Sequence, residues 1–374
     1  MATAGGPDII TDGLVFGYDA DDRSPRFYSG EPTINYLATG VAGYNPFTAA
    51  HWLGATLTEV GTSELNTPIL RYVTTGTNYT YSHDRMLDDD FAALSSQQVA
   101  FSLYIRRVEG ASNCRIRTYD NVTSYTSSSH AVTTDFTRIQ MTKTLGANPT
   151  RIFVMVDNSG GGTYEFHSPQ LNIGPHATQF TKLPRTGTQS LIDLKKTTTI
   201  DVSNVSFDST AHPVFDGTGD YINLGSSSNW SFGGDGSIEI MVKPSNSTGN
   251  NRLWCVTNNA TSLDAYLNGT GYNIYLHGGS VGTTTSLVQN KWNHIVVTYN
   301  YGTILIYVNG VAGTMTGTTT GYNITNNNTL FVGSFYNLNY NLYGKASVFR
   351  VYNKGLSQTE VKQNFNAYKN RFNL

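Results

Sequence analysis

Few residues in this 374-residue chain are placed to do covalent chemistry. Hydrolysis of a glycosidic bond needs two carboxylates facing each other, about 5–9 Å apart. The strand-like run SIEIMVKP (237–244) supplies Glu239, but in a period-two strand its face is shared by Ser237, Met241 and Lys243, none of them an acid. No catalytic residue is assigned on that basis. The eight histidines are scattered, without helical metal-ligand spacing and without a cysteine pair to complete a zinc site. His294 alternates with Trp292 and Val296, the pattern of a packed structural histidine. There is no Gly-x-Ser-x-Gly elbow and no glycine-rich phosphate loop ahead of a helix.

Binding chemistry is better represented. Reading a sugar takes aromatic rings to stack on pyranose faces, with amides and carboxylates for the hydroxyls. The loops GTGYNIYLHGG (269–279), TGYNITNNN (320–328) and SFYNLNYNLYG (334–344) carry Tyr272, Tyr275, Tyr322, Tyr336, Tyr340 and Tyr343 among many asparagines. Such loops suit a glycan-reading or protein-contacting rim. A tyrosine can equally serve a core or strand edge with only its hydroxyl outside.

The composition says what must hold these loops. Only 13% of residues are charged, with 24 Lys+Arg against 26 Asp+Glu, so a basic nucleic-acid surface is not expected. Thr, Ser, Asn and 37 Gly replace the missing charge, and 24 Tyr swell the aromatic content, a balance that favours strands and tight turns. No apolar run is long enough for a membrane span, and MATAGGPDIITDG lacks the features of an export signal. Cys114 and Cys255 lie far apart in dissimilar segments, which fits folding in a reducing cytoplasm.

Strand signals recur along the chain: AFSLYIRRV (100–108), RIFVMVD (151–157), SIEIMVKP, NHIVVTYN (293–300), TILIYVNG (303–310) and ASVFRVYN (346–353). Between Trp292 and Gly310 they predict a meander, with turns at Asn300-Tyr301-Gly302 and at Asn309-Gly310, the latter suited to a type I′ turn. One helix is predicted near the C-terminus. Ser357 and Glu360 form a capping box, Leu356 and Val361 a staple, and Val361, Phe365, Tyr368 and Phe372 a single apolar stripe. The stripe should pack on a sandwich or on a neighbouring copy.

The segments VFDGTGDYINLG (214–225), SFGGDGSIEIMVKP (231–244), KWNHIVVTYNYGTILIYVNG (291–310), FVGS (331–334) and GKASVFRVYNKGLSQTEVKQNFNAYKNRF (344–372) resemble the laminin-G-like, concanavalin-A-like jelly-roll family. DGLVFGYDADDRSPRFYSG (12–30) is similar to the opening of such jelly rolls in virion surface proteins of tailed bacteriophages. Its usual continuation, here SLIDL (190–194), comes only after a long interruption, so residues 33–185 read as an insertion. That insertion begins EPTINYL and ends TYEFHSPQLNIGPHATQFTKLPRTGT, which looks like a carbohydrate-binding-module-like sandwich, with Phe136 where that pattern has Trp.

The resemblance implies an all-β chain of two antiparallel β-sandwich or jelly-roll domains and one short C-terminal helix. The domains would be 1–32 (N-terminal arm and first strand), 33–185 (insertion) and 186–374 (jelly roll). Relatives often bind calcium at a sandwich rim, which makes Asp19, Asp216, Asp220 and Asp235 possible calcium ligands, alongside Asp21 and Asp22. The function implied is a non-enzymatic bacteriophage structural protein, a capsid decoration or a head or tail fibre, made in the host cytoplasm and carried on the virion. Its partners would be other virion proteins, host glycans and its own copies, with Phe365, Tyr368 and Phe372 as self-association residues and neither nucleic acid nor membrane insertion involved. The alternative is a secreted carbohydrate-active enzyme or its glycan-binding module.

Overall fold

A computed structural model describes residues 7–39, 45–75, 78–82, 88–158, 160–226, 235–245, 250–256, 264–268, 273–276, 281–300, 303–316, 329–335 and 338–374. The chain forms two compact units, Met1–Pro32 with Thr186–Leu374, and Thr33–Arg185. Both are antiparallel β-sandwiches. Tyr272, Tyr322, Tyr336, the turn residues 301–302 and residues 1–6 of the N-terminal arm lie outside the described residues.

In the first unit an eight-stranded sheet is centred on Tyr343–Tyr352, which pairs with Gly236–Pro244 on one side and with both Leu14–Asp19 and Pro213–Asp216 on the other. Asn293–Asn300, Thr303–Val308 and Val311–Ala312 continue it as a meander. The last turn has Asn309 and Gly310 at φ 52° and 76°, as a type I′ turn requires. A seven-stranded sheet built on Asn250–Val256, Ala265–Asn268, Asn273–Leu276 and Thr329–Val332 closes the sandwich. Ile238, Ile240, Val242, Ile295, Val297, Phe349 and Val351 from the first sheet meet Leu253, Leu267, Ile274, Leu330 and Val332 from the second, all fully buried. Trp254 sits edge-on to Phe349 at 6.1 Å.

The helix Gln358–Lys369 starts as its sequence dictates: the Ser357 hydroxyl accepts from the Glu360 N–H, and the Glu360 carboxylate accepts from the Ser357 N–H. It lies on the outer face of the eight-stranded sheet. Val361 packs there with Leu14, Val296, Tyr307, Tyr352 and Leu356, while Tyr368 and Phe372 pack with Met241 and Val348. The stripe read as a self-association face is thus spent within its own chain: Tyr368 and Phe372 are buried, and Phe365 is partly buried against Gly310 and the His294 ring. A sheet with one greasy face inward and residues such as Met241 and Val296 on the other needs a cover, and the helix is the nearest one in sequence.

The second unit packs the sheet Trp52–Gly54, Tyr79–Ser82, Ile152–Asp157, Asn113–Asp120, Ser124–Ala131 against the sheet Leu57–Thr62, Pro68–Thr74, Gly162–Ile173, Gln98–Gly110, Thr137–Thr144. Trp52 meets Phe166 edge-on at 5.0 Å at the centre of this core. A short helix, Asp88–Leu94, was not expected. Phe136 packs on the His167 ring at 4.6 Å and lies beneath Arg106.

Two predictions follow from these units. Thr33 and Arg185 exchange both backbone hydrogen bonds at 2.9 Å, so the two ends of the second unit are adjacent. Replacing 33–185 by a short linker should leave a cooperatively melting jelly roll, and a non-cooperative product by calorimetry would refute this. His167 is 2% exposed, stacked on Tyr104 at 5.1 Å, and burial pushes its imidazole down to about 4. The unfolded chain therefore takes up that proton first. Stability from His167 is whole above about pH 6.5 and is lost as pH falls toward 4, on the order of 3 kcal/mol in total. In His167→Phe, the fall in melting temperature over this range should be visibly shallower than in wild type.

Candidate functional site

The only acid on the expected strand face lies in a sealed network. Glu239 and His294 are fully buried, with Glu239 Oε1 2.6 Å from His294 Nε2. Glu239 Oε2 accepts from the Tyr352 hydroxyl at 3.0 Å and from Asn364 Nδ2 of the helix at 3.1 Å. Asn364 Oδ1 in turn accepts from the Ile10 N–H at 2.7 Å, which ties the N-terminal segment to the helix. Burial opposes the Glu239 charge, but His294, Arg350 and Tyr352 outweigh it and hold the carboxyl below its usual range. Tyr352 is pushed well above its ordinary value, by burial first and by Glu239 second, so it remains a donor. Both carboxylate oxygens are occupied by this chain's own groups, and among the described residues no second acid is hydrogen-bonded to them.

An accessible arrangement lies on the seven-stranded sheet. The register places Arg252 opposite Tyr266, Tyr266 opposite Tyr275, and Tyr275 opposite Gly282. The side chains of Arg252, Tyr266 and Tyr275 therefore form one row across three strands, with Gly282 beside it on the fourth. A Cβ on Gly282 would come within 2.9 Å of the Tyr275 ring, so glycine gives that ring its space. Tyr266 and Tyr275 stack at 5.9 Å with 25° between planes. The Arg252 guanidinium lies 4.4 Å from the Tyr266 ring, 4.4 Å from that of Phe335 and 5.9 Å from that of Tyr340. Its backbone N–H donates to the Tyr340 carbonyl at 2.8 Å, anchoring Tyr340, which like Leu338 takes positive φ.

Arg252 is 5% exposed and pairs with the buried Asp264 at 3.4 Å. Cation–π contacts with a guanidinium this desolvated are worth roughly 2 kcal/mol each. They fix the Tyr266 and Phe335 rings. Burial raises the Tyr266 phenol, Arg252 lowers it and Asp264 raises it; the net rise keeps it protonated. Tyr340 is 54% exposed, at the end of the row. The result is a rigid aromatic tray around a buried cation, with polar Asn268, Asn273 and Ser286 on the neighbouring strand positions.

Of the tyrosines marked in the sequence, Tyr275 and Tyr340 come to this row, while Tyr343 lies elsewhere, exposed beside Gly217 at the start of the central strand of the other sheet. Sequence reasoning missed Arg252, Tyr266 and Phe335. The available signal was an arginine inside the otherwise apolar run RLWCV, a residue type that a strand seldom buries without partners.

The calcium expectation finds no site among the described residues, where no three His, Cys, Asp or Glu side chains converge as metal ligands. Asp19 is buried and committed to guanidiniums: Arg371 donates to both its oxygens at 2.8 and 3.0 Å, and Arg350 lies 3.4 Å away. Asp21 accepts from Arg371 at 2.9 Å. Asp216 and Asp220 build a turn, in which Asp220 accepts from the Asp216 N–H at 2.6 Å and Asp216 from the Thr218 N–H at 2.7 Å. Burial, then the Asp216 charge, raises the Asp220 carboxyl. Asp235 is partly buried just ahead of Gly236–Pro244. Both cysteines are buried, and among the described residues no helix is long and apolar enough to cross a membrane.

Glu239→Gln should be tested for stability. The carboxylate that faces the buried Arg350 at 3.8 Å would be gone, so a loss of about 3–5 kcal/mol is expected in chemical denaturation. A variant as stable as wild type would refute the structural assignment.

Residues 216–362 match the model of the concanavalin A-like lectin/glucanases superfamily. No curated protein matches the chain. Among solved structures, it is similar to the binding domain of Paraclostridial Mosquitocidal Protein 1, at 18% identity over 48% of this chain and 50% of that one, with a TM-score of 0.38. It is also similar to the botulinum neurotoxin serotype D ligand-binding domain in complex with N-acetylneuraminic acid, at 15% identity over 48% and 49%, with a TM-score of 0.37. A third is domain 4 of AbnA, a GH43 extracellular arabinanase from Geobacillus stearothermophilus, in complex with arabinotriose, at 16% identity over 44% and 81%, with a TM-score of 0.34. This chain spans about half the length of the first two. The C-terminal region has the jelly-roll fold of the concanavalin A-like lectin/glucanase superfamily.

Proposed function

We propose that the chain is a non-enzymatic glycan-binding protein carried on the surface of a bacteriophage particle, as a capsid decoration or a fibre component. The observation that carries the binding half is the tray formed by Tyr266, Tyr275, Phe335 and Tyr340 around Arg252, because a rigid row of aromatic side chains with Tyr340 54% exposed offers apolar area beside hydroxyl-binding amides. The state of Glu239 supports the non-enzymatic half, since a carboxylate fully buried and hydrogen-bonded inside the fold is out of reach of a substrate. The virion assignment rests on the opening segment 12–30, whose likeness to phage surface jelly rolls is one of sequence pattern.

Two measurements test this reading. On a glycan array, wild type should bind a defined set of glycans, and Tyr275→Ala with Tyr340→Ala should lower affinity for them by at least about tenfold at unchanged melting temperature. Incubation with β-glucans or host polysaccharide should release no reducing sugar. Full binding by the double variant, or turnover by the wild type, would overturn the proposal.

A further inference from the structure

The two sheets of the second unit end in four edge strands, three of which are blunted. Trp52–Gly54 is three residues long. Leu57–Thr62 loses register between Glu59 and Gly61, and Thr137–Thr144 carries Arg138 and the buried Lys143, which pairs with Asp120 at 3.2 Å. Short length, bulges and edge charges are the means by which proteins keep strand edges from pairing with other chains. The fourth edge, Ser124–Ala131, has none of them. Its eight residues, SYTSSSHA, include no Lys, Arg, Asp, Glu, Pro or Gly, and they pair with Asn113–Asp120 from end to end without a register shift.

Among the described residues no strand pairs with the other side of this one. Alternate N–H and C=O groups of such an edge point away from its sheet. The Lys143 ammonium donates to the Ser124 carbonyl at 2.9 Å, so the open row runs from Tyr125 onward. Tyr125, Ser127, Ser129 and Ala131 face outward and are exposed, while Thr126, Ser128 and His130 are half-buried. The chemistry of the strand suits a copy of itself. A two-fold axis sets each side chain opposite itself or a near neighbour, about 5 Å away, where a charged residue would meet its own charge. Here there is none to meet, and burial lowers the His130 imidazole, which keeps it neutral at pH 7. Serine and threonine hydroxyls both donate and accept, so they bond to their own copies.

We propose that Ser124–Ala131 is the edge to which a second copy of this chain adds in antiparallel register, so that two five-stranded sheets become one across a two-fold axis at Ser127. An axis through a single residue keeps the outer faces of both copies on one side. With Ser127 opposite itself, Tyr125 faces the partner's Ser129. Ser129 is small and lies in register with Arg115, whose side chain is 38% exposed. The Tyr125 ring, itself 49% exposed and held against Tyr119 at 4.7 Å, then reaches across the partner's Ser129 toward the partner's Arg115, and the axis makes this contact twice. Centring on Ser128 would instead set Tyr125 beside Ala131 at the strand end and lose it. The edge shares no residue with the tray around Arg252.

Light scattering on the full chain, from about 1 to about 200 µM, tests the proposal. A contact between two short strands lies at the small end of specific interfaces, so wild type should pass from monomer to dimer in the micromolar range. Ser127→Lys and Ser127→Glu, at an exposed position, should each melt as wild type does and weaken the dimer at least about tenfold. Mixed in equal amounts, the two variants should dimerise again, because the axis sets their opposite charges face to face. Tyr275→Ala with Tyr340→Ala should dimerise as wild type does, which separates failure here from failure of the glycan tray. A wild type that stays monomeric, including one whose edge takes up another protein's strand, would overturn the proposal. So would a dimer indifferent to Ser127→Lys, or a mixture of the two variants that remains monomeric.

Discussion

A line of buried charge holds the jelly roll together: Arg371 to Asp19, Asp19 to Arg350, Arg350 to Glu239, and Glu239 to His294. Its members come from the helix end, the first strand, the central strand, the strand beside it and the meander. Removing one partner from such a line leaves a charge unsatisfied in a low-dielectric interior, which costs far more than the intact line contributes. The network therefore acts as a condition of correct assembly. It is complete only when the first strand, Leu14–Asp19, has paired with Tyr343–Tyr352 and the C-terminal helix has docked.

That constraint divides the molecule's polar chemistry into an inside and an outside. Inside, Glu239, His294, Tyr352 and Asn364 satisfy one another under the helix. Outside, aromatic and guanidinium groups are fixed by register: Arg252, Tyr266 and Tyr275 on the seven-stranded sheet. The strand ladder supplies the rigidity there, so the rings need no ordering when a ligand arrives. Preformed flat surfaces of this kind lose little entropy on binding.

What could be read from the sequence was what is local. The Ser357–Glu360 capping box, the Asn309-Gly310 turn and the strand runs around them depend on neighbours within a few residues, and the fold realises them as the sequence states them. The fate of Glu239 depended on Asn364, far along the chain, and on the helix that presents it. The same distance hid the purpose of the apolar stripe: Tyr368 and Phe372 looked free for a partner because Met241 and Val348, which they cover, lie on strands whose outer faces are not marked by alternation. Arg252 is not marked by the loop aromatics of the sequence, because the tray is made where strands lie side by side. Asp19 looked like a loop carboxylate because nothing near it in sequence announces Arg371.

The central claim is that the acid inside is structural and the aromatic tray outside does the binding. A crystal structure of the full chain soaked with an oligosaccharide selected by array tests it most directly. The account predicts sugar rings lying against Tyr275 and Tyr340, with the Glu239 network unchanged and no sugar near it. Sugar at Glu239, with the helix displaced or the glycosidic bond cleaved, would contradict it.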